Sequence, residues 1–259
     1  MKNNRARIKA RREEILQELR ENSHVSVRAL AEKFHVSLLT IRRDLQFLEN
    51  EHKLERFYGG AAPLEEEART ELRDETSGYR DQIARYAASL VEDDDTIFIN
   101  TSSTALRMIP YIKSRHVTVI TNNGRVIDIP HSPDVSIILS GGELRQFKGA
   151  MTGEFAVNNL GVVMAKKSFL GCVGLSAENG MTTEMLSEVI VNQIMLERVV
   201  GASYILADHT KIGRQSSFVS CPPDKLKNII TDELADPDEI ARLRERYIEV
   251  KQVSLREEY

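Results

Sequence analysis

The sequence predicts an α/β protein in two unequal parts: a small helical part closed by a β-hairpin, then a larger doubly wound, mostly parallel sheet. Three observations carry this prediction. Apolar residues recur at helical spacing up to about residue 50, and short β-rich runs alternate with amphipathic stretches after residue 78. Between the two lies an acidic segment almost without apolar residues, Glu65-Glu66-Glu67 through Thr76-Ser77-Gly78, following Gly59-Gly60-Ala61-Ala62-Pro63. That is linker composition. The expected division is therefore 1–62, a linker over 63–78, and 79–259.

The 259 residues suffice for two cores, and with 41% hydrophobic and 29% charged residues the chain is globular rather than collagen-like, low-complexity or wholly disordered. No apolar run approaches the ~20 residues of a membrane span. Met1 to Arg12 is basic without a following apolar stretch, so no export signal is expected either. Cys172 and Cys221 are too few and too far apart for a disulfide framework or a four-ligand zinc site. The six histidines show no metal-ligand spacing. These features predict a cytoplasmic protein without metal or cofactor.

Charge is divided as the patterning is. Residues 1–62 hold four Lys and nine Arg against nine acids, a net of +4, which leaves −8 for the remainder of a chain whose total is −4. Lys2, Arg5, Arg7, Lys9, Arg11 and Arg12 meet no acid within the first twelve residues. Such an arm suits a phosphate backbone, and equally a solvated tail.

Three helices fit into the first fifty residues: Ile8, Ile15, Leu16 and Leu19 mark the first, Leu30, Ala31 and Phe34 the second, Leu38, Ile41, Leu45 and Leu48 the third. Ser26 and Ser37 are placed to N-cap the second and third. Phe34-His35-Val36 leaves room only for a tight turn, so the pair reads as a helix-turn-helix whose third helix enters the major groove of DNA. At 100° per residue Leu38, Ile41, Leu45 and Leu48 form the buried stripe. The opposite face then carries Leu39, Arg43 and Gln46, flanked by Arg42 and Thr40. Arginine pairs with guanine, glutamine with adenine, and an exposed leucine can meet a thymine methyl. Leu54-Glu55-Arg56-Phe57-Tyr58 alternates like a strand and ends at Gly59-Gly60, which suits the β-hairpin wing of a winged helix. Arg56 there reads either as a phosphate or minor-groove contact or as a plain hairpin residue. The predicted DNA-contacting set is Ser37, Leu39, Thr40, Arg42, Arg43, Gln46 and Arg56.

Val36-Ser37-Leu38-Leu39-Thr40-Ile41-Arg42-Arg43-Asp44-Leu45, followed by Leu48-Glu49, Leu54, Arg56 and Gly59-Gly60-Ala61, resembles the signature of DeoR-family bacterial transcriptional regulators. His52 stands where that family usually has glycine to close the recognition helix.

In the second part, strands are expected at Thr96–Ile99, Val117–Thr121, Val135–Leu139, Ser168–Leu170, Tyr204–Ala207 and Asn228–Thr231. A parallel sheet covered on both faces binds ligands at the carboxyl ends of its strands. Asn100-Thr101-Ser102-Ser103-Thr104 follows the first strand and opens a helix, where four hydroxyls read as a phosphate cradle or as helix caps. Asn122, Gly141, Gly142, Arg145, Gly174, Asp208 and Lys211 fall at other strand ends. Asp208 and Lys211 offer opposite charges to a polyol phosphate.

These segments resemble the DeoR sensor domain from about Gly78 to Asp232. The resemblance implies a fold related to ribose-5-phosphate isomerase and a phosphorylated sugar as effector, and it aligns Arg80 with a lysine often found at the start of the domain's first helix. Two departures stand out. Asn100 and Ser102 replace the acid and glycine of the family's Asp-Ser-Gly-Thr-Thr, and Asn192-Gln193 stands where the family often has Lys-Arg.

The expected function is a DNA-binding regulator, a repressor of a carbohydrate-utilisation operon, acting as a homo-oligomer on double-stranded operator DNA under control of a phosphorylated sugar. The alternative is an active sugar-phosphate isomerase or hydrolase with a DNA-binding appendage. The loop Gly171-Cys172-Val173-Gly174-Leu175, which carries no carboxylate to act as base, speaks against catalysis.

Overall fold

The computed structural model describes residues 2–21, 25–51, 53–57, 59–63, 73–145, 149–257 and 259. The chain forms two compact units, Met1–Glu75 and Thr76–Tyr259.

The first unit runs α1 (Lys2–Glu21), β1 (Val25–Ser26), α2 (Val27–Lys33), α3 (Leu38–Asn50), β2 (Leu54–Phe57) and β3 (Gly60–Pro63). Ser26 and Ser37 cap α2 and α3 as expected, their side chains accepting from the backbone N–H groups of Ala29 and Thr40. The wing has three strands in the order β1-β3-β2, because Val25-Ser26 pairs antiparallel with Gly60-Ala61. Ile15 and Leu19 of α1, Leu30 and Ala31 of α2, and Ile41, Leu45 and Leu48 of α3 share one core with Leu54 and Ala61.

Two expectations for this unit need correction. Leu38 is not part of the buried stripe: it is the first residue of α3, at the turn, and is 47% exposed. The end of the basic arm is not a solvated tail either. The arm is the start of α1, and Arg11 and Arg12 turn inward to grip the buried Asp44 of α3 at 2.6 and 2.8 Å. Sequence distance hid this pairing.

The linker reading is only partly inside the described residues. Pro63 ends β3, 64–72 lie outside them, and 73–78 form the opening of α4 (Arg73–Ser89). Ser77-Gly78 is tolerated there because Tyr79 and Ile83 just beyond it are buried and hold the helix on the sheet. His52 also lies outside the described residues.

The second unit continues β4 (Thr96–Ile99), α5 (Ser103–Leu106), β5 (Val117–Thr121), β6 (Val135–Leu139), β7 (Glu143–Arg145), β8 (Ala150–Thr152), α6 (Glu154–Gly161), β9 (Ala165–Gly171), β10 (Gly174–Ser176), β11 (Gly180–Thr183), α7 (Leu186–Glu197), β12 (Val199–Leu206), β13 (Phe218–Cys221), β14 (Asn228–Asp232), α8 (Pro237–Glu245) and β15 (Glu249–Val253). Seven strands form one sheet in the order β15-β14-β12-β9-β4-β5-β6, with every pairing parallel. Alternation splits each central strand between two cores. Ile97, Ile99 and Phe169 face α4 residues Ile83, Ala84 and Ala87, whereas Phe98 and Leu170 join Val191 and Met195 of α7 with Ile240 and Leu243 of α8. The sheet is doubly wound, as predicted.

Gly174, expected at the end of a sheet strand, instead opens a strand of a second, antiparallel sheet in the order β10-β11-β13, and Arg145 lies in β7 of the β7-β8 pair.

Candidate functional site

The outward face of α3 carries what groove reading requires. Leu39 is 57% exposed, and the side chains of Arg42 and Arg43 are exposed and make no hydrogen bond or ion pair among the described residues. Their freedom follows from the opposite face, where Ile41, Leu45 and Asp44 are buried. Asp44 fixes the helix from below through Arg11 and Arg12, and the Arg12 guanidinium stacks 3.7 Å over Phe47. Ser37 is a cap, its hydroxyl 2.9 Å from that of Thr40. Gln46 donates from Nε2 to Glu49 at 3.0 Å and accepts from Arg56 of β2. The sequence reading missed Asp44 and Glu49 because both look like solvated acids in a one-dimensional pattern.

In the second unit the carboxyl ends of β4, β9 and β12 converge, and Asn100 is the strut between two of them. Its Nδ2 donates to the carbonyl of Gly171 at 2.9 Å and to Asn192 Oδ1 at 3.0 Å, while its Oδ1 accepts from the backbone N–H groups of Gly171 and Ser102 at 2.9 and 3.2 Å. With 3% of its surface exposed, its amide is used within the protein. Asn192 passes the network on to Ser220 at 3.2 Å. Two departures from the family pattern thus meet each other.

The hydroxyl segment divides by role. Ser102 caps α5, accepting from Ala105 N at 3.3 Å. Thr104 is buried, and Ser103 is exposed. Thr101 donates to Glu188 Oε1 at 3.5 Å, and Thr183 donates to Glu188 Oε2, so a buried carboxylate from the first turn of α7 lies against the segment. Glu188 was missed because it belongs to a helix far along the chain. The neighbouring Asn122 donates to the carbonyl of Met151 at 3.1 Å, but its Oδ1 is buried with no hydrogen-bond partner.

At the end of β12, Asp208 is 1% exposed and binds the Arg80 Nε of α4 at 2.7 Å and the Thr210 N–H at 3.0 Å. Burial opposes its ionisation, yet Arg80, Thr210 and Lys211 together hold the carboxyl below the usual range. Arg80 is therefore engaged. The Lys211 ammonium makes no hydrogen bond or ion pair among the described residues. Burial pushes the nearby Cys172 thiol up to about 12 despite Lys211, which leaves it a poor nucleophile at neutral pH. His209 is anchored: Nδ1 lies 2.9 Å from the fully buried Asp232, whose other oxygen accepts the His209 backbone N–H at 2.7 Å.

The glycines serve packing. A Cβ on Gly174 would meet the Arg214 carbonyl oxygen at 2.7 Å, and Gly141 and Gly142 hold φ of +70° and +110° in the turn before β7. Arg145, exposed on β7, pairs with Glu143 at 3.1 Å.

A family model described as the DeoR-like helix-turn-helix domain matches residues 11–67, and one described as the DeoR C terminal sensor domain matches residues 75–233. The HTH-type transcriptional regulator YulB of Bacillus subtilis (strain 168) is 31% identical over 254 residues, covering 96% of this chain and 98% of that protein. The lactose phosphotransferase system repressor of Lactococcus lactis subsp. lactis is 31% identical over 241 residues, 90% of this chain and 94% of that protein. Among solved structures, ribose 5-phosphate isomerase A from Methanocaldococcus jannaschii matches with a TM-score of 0.36 and 14% identity over 51% of this chain. The chain spans about half of that protein, at 52%, a likeness too slight to bear on function.

Proposed function

The chain belongs to the DeoR family of DNA-binding transcriptional regulators, and from that premise we propose that it is a repressor of a carbohydrate-utilisation operon whose operator affinity is set by a phosphorylated sugar. The relative from Lactococcus lactis, a lactose phosphotransferase system repressor, supports the carbohydrate assignment. The observation that carries the DNA half is the pair of exposed, unengaged guanidinium groups of Arg42 and Arg43 opposite a closed apolar core. For the effector half it is the Lys211 ammonium, which makes no hydrogen bond or ion pair among the described residues, at strand tips that also carry the exposed Ser103 and the buried, unpaired Oδ1 of Asn122.

In this reading residues 1–62 bind DNA, 63–78 connect, and 79–259 sense the ligand. Lys211 meets the phosphate, Ser103 and Thr101 supply hydroxyls, and Asn122 Oδ1 accepts from a sugar hydroxyl. Asn100, Ser102, Gly141, Gly142 and Gly174 shape the site from behind, and Arg80 acts through Asp208. The protein works in the cytoplasm as a homo-oligomer, because one winged helix makes too few base contacts for operator specificity. In this reading the ligand is bound and released without being consumed.

The test incubates the full chain with fragmented DNA, identifies the retained duplex, and adds a panel of sugar phosphates. Release or strengthened retention by one sugar phosphate without its consumption supports the reading; turnover of that compound favours an enzyme with a DNA-binding appendage.

A further inference from the structure

The last turn of α3 is fastened to the wing by three side chains. Gln46 Nε2 donates to Glu49 Oε2 at 3.0 Å, the Arg56 guanidinium donates to Gln46 Oε1, and that guanidinium stands 3.8 Å from Glu49 Oε2. Glu49 Oε1 also accepts the Arg56 backbone N–H at 3.3 Å. β2 is the edge of its sheet, so this N–H has no strand to pair with and the carboxylate takes that place. The Gln46 amide is oriented by its neighbours, its oxygen toward a donor and its NH2 toward an acceptor.

A carboxylate on a face that meets DNA repels phosphate and lowers affinity for every sequence alike. Glu49 nevertheless sits between two residues placed to touch DNA. We propose that Glu49 is a specificity-determining positioning residue: it makes Gln46 of the recognition helix and Arg56 of the wing act as one unit, and it withholds the Arg56 charge from indiscriminate phosphate contact. Specificity is a difference between affinities, and a built-in repulsive element raises it by weakening the wrong complexes more than the right one. On the correct base step, contacts to Gln46 and Arg56 replace the internal ones. On other sequences the ring stays closed and the wing contributes little. The inference rests on the reading of α3 as the groove-reading helix.

The experiment uses the full-length chain as wild type, Glu49→Gln and Glu49→Ala. Wild type first selects a sequence from a randomised duplex library; all three are then titrated with the selected and a scrambled duplex between 50 and 200 mM salt. Both variants are expected to bind the scrambled duplex more tightly, with a salt slope steeper by about 0.9, the increment for one added phosphate contact. The ratio of selected to scrambled affinity is expected to fall about tenfold, the loss of one weaker base contact. Glu49→Gln keeps an acceptor for the Arg56 N–H, so it removes charge while retaining the wing's support. An unchanged slope and ratio in Glu49→Gln overturns the proposal, including when Glu49→Ala alone is impaired, since that pattern reports wing packing only. A wild-type chain that selects no sequence overturns the recognition-helix reading instead, which keeps the two failures apart.

Discussion

Asn100 donates a hydrogen bond to Asn192 across 3.0 Å, joining the end of β4 to the middle of α7 through two neutral amides. Both are positions where this chain differs from the usual DeoR pattern, an acid at the first and a lysine at the second. Two uncharged amides pair where the resemblance implies an acid and a lysine.

Asn100→Asp alone is expected to destabilise the second unit by about 3 kcal/mol, because a buried carboxylate would face the Gly171 carbonyl and the Asn192 carbonyl oxygen with no cation. Asn100→Asp with Asn192→Lys is expected to recover part of that loss. A thermodynamic cycle from thermal or urea unfolding of the four chains measures the coupling, and strict additivity would show that the two sites are independent.

Arg42→Ala and Arg43→Ala are expected to lower discrimination between the selected duplex and single-base variants by about 1–3 kcal/mol each, while far-UV circular dichroism and melting temperature stay unchanged. Sequence preference identical to wild type in both variants would remove the assignment of α3.

Asp44→Asn removes the carboxylate shared by Arg11 and Arg12. A loss of about 3 kcal/mol is expected, because two guanidinium groups lose a buried partner. Proteolysis of the first unit under native conditions reads this out, with cleavage in α1 accelerated.

Lys211→Ala and Ser103→Ala are expected to abolish or weaken the thermal shift produced by a responsive sugar phosphate while DNA retention without it persists. Normal shifts in both variants would place the ligand elsewhere.

The depressed carboxyl of Asp208 predicts an acid limb. Its ionised form is favoured in the folded protein, so the stabilisation is complete above the usual aspartate range near pH ~4 and is lost as pH falls through the lower folded value. Asp208→Asn should flatten that part of a stability profile, and an unaltered profile would show that the pair with Arg80 contributes nothing there.

Local signals were read well where a single rule decided the outcome. The caps at Ser26 and Ser37 and the strands Thr96–Ile99, Val117–Thr121 and Val135–Leu139 follow from side-chain chemistry and from continuous β-branched runs. β15 escaped because Glu249-Val-Lys-Gln-Val253 is polar, as suits a sheet edge, and strands there need no apolar run. The β10-β11 hairpin carried a legible sign in Asn179-Gly180, with Gly180 at φ +70°, but strands of three and four residues give periodicity little room. Of the site, the residue types were legible and their partners were not. Nothing in the order of residues shows that Arg11 faces Asp44, that Thr101 faces Glu188, or that Asn100 is consumed as a strut, because each pairing is created by tertiary packing.

The strand order β15-β14-β12-β9-β4-β5-β6 has a consequence for synthesis. β4 comes first in the chain and lies inside the finished sheet; β5 and then β6 add to one side of it, and β9, β12, β14 and β15 add in turn to the other. Every newcomer from the ribosome therefore docks on a rim already standing, and none has to wedge between neighbours that have closed. Assembly can keep pace with translation, and the last rim to be covered, β14, waits only for β15.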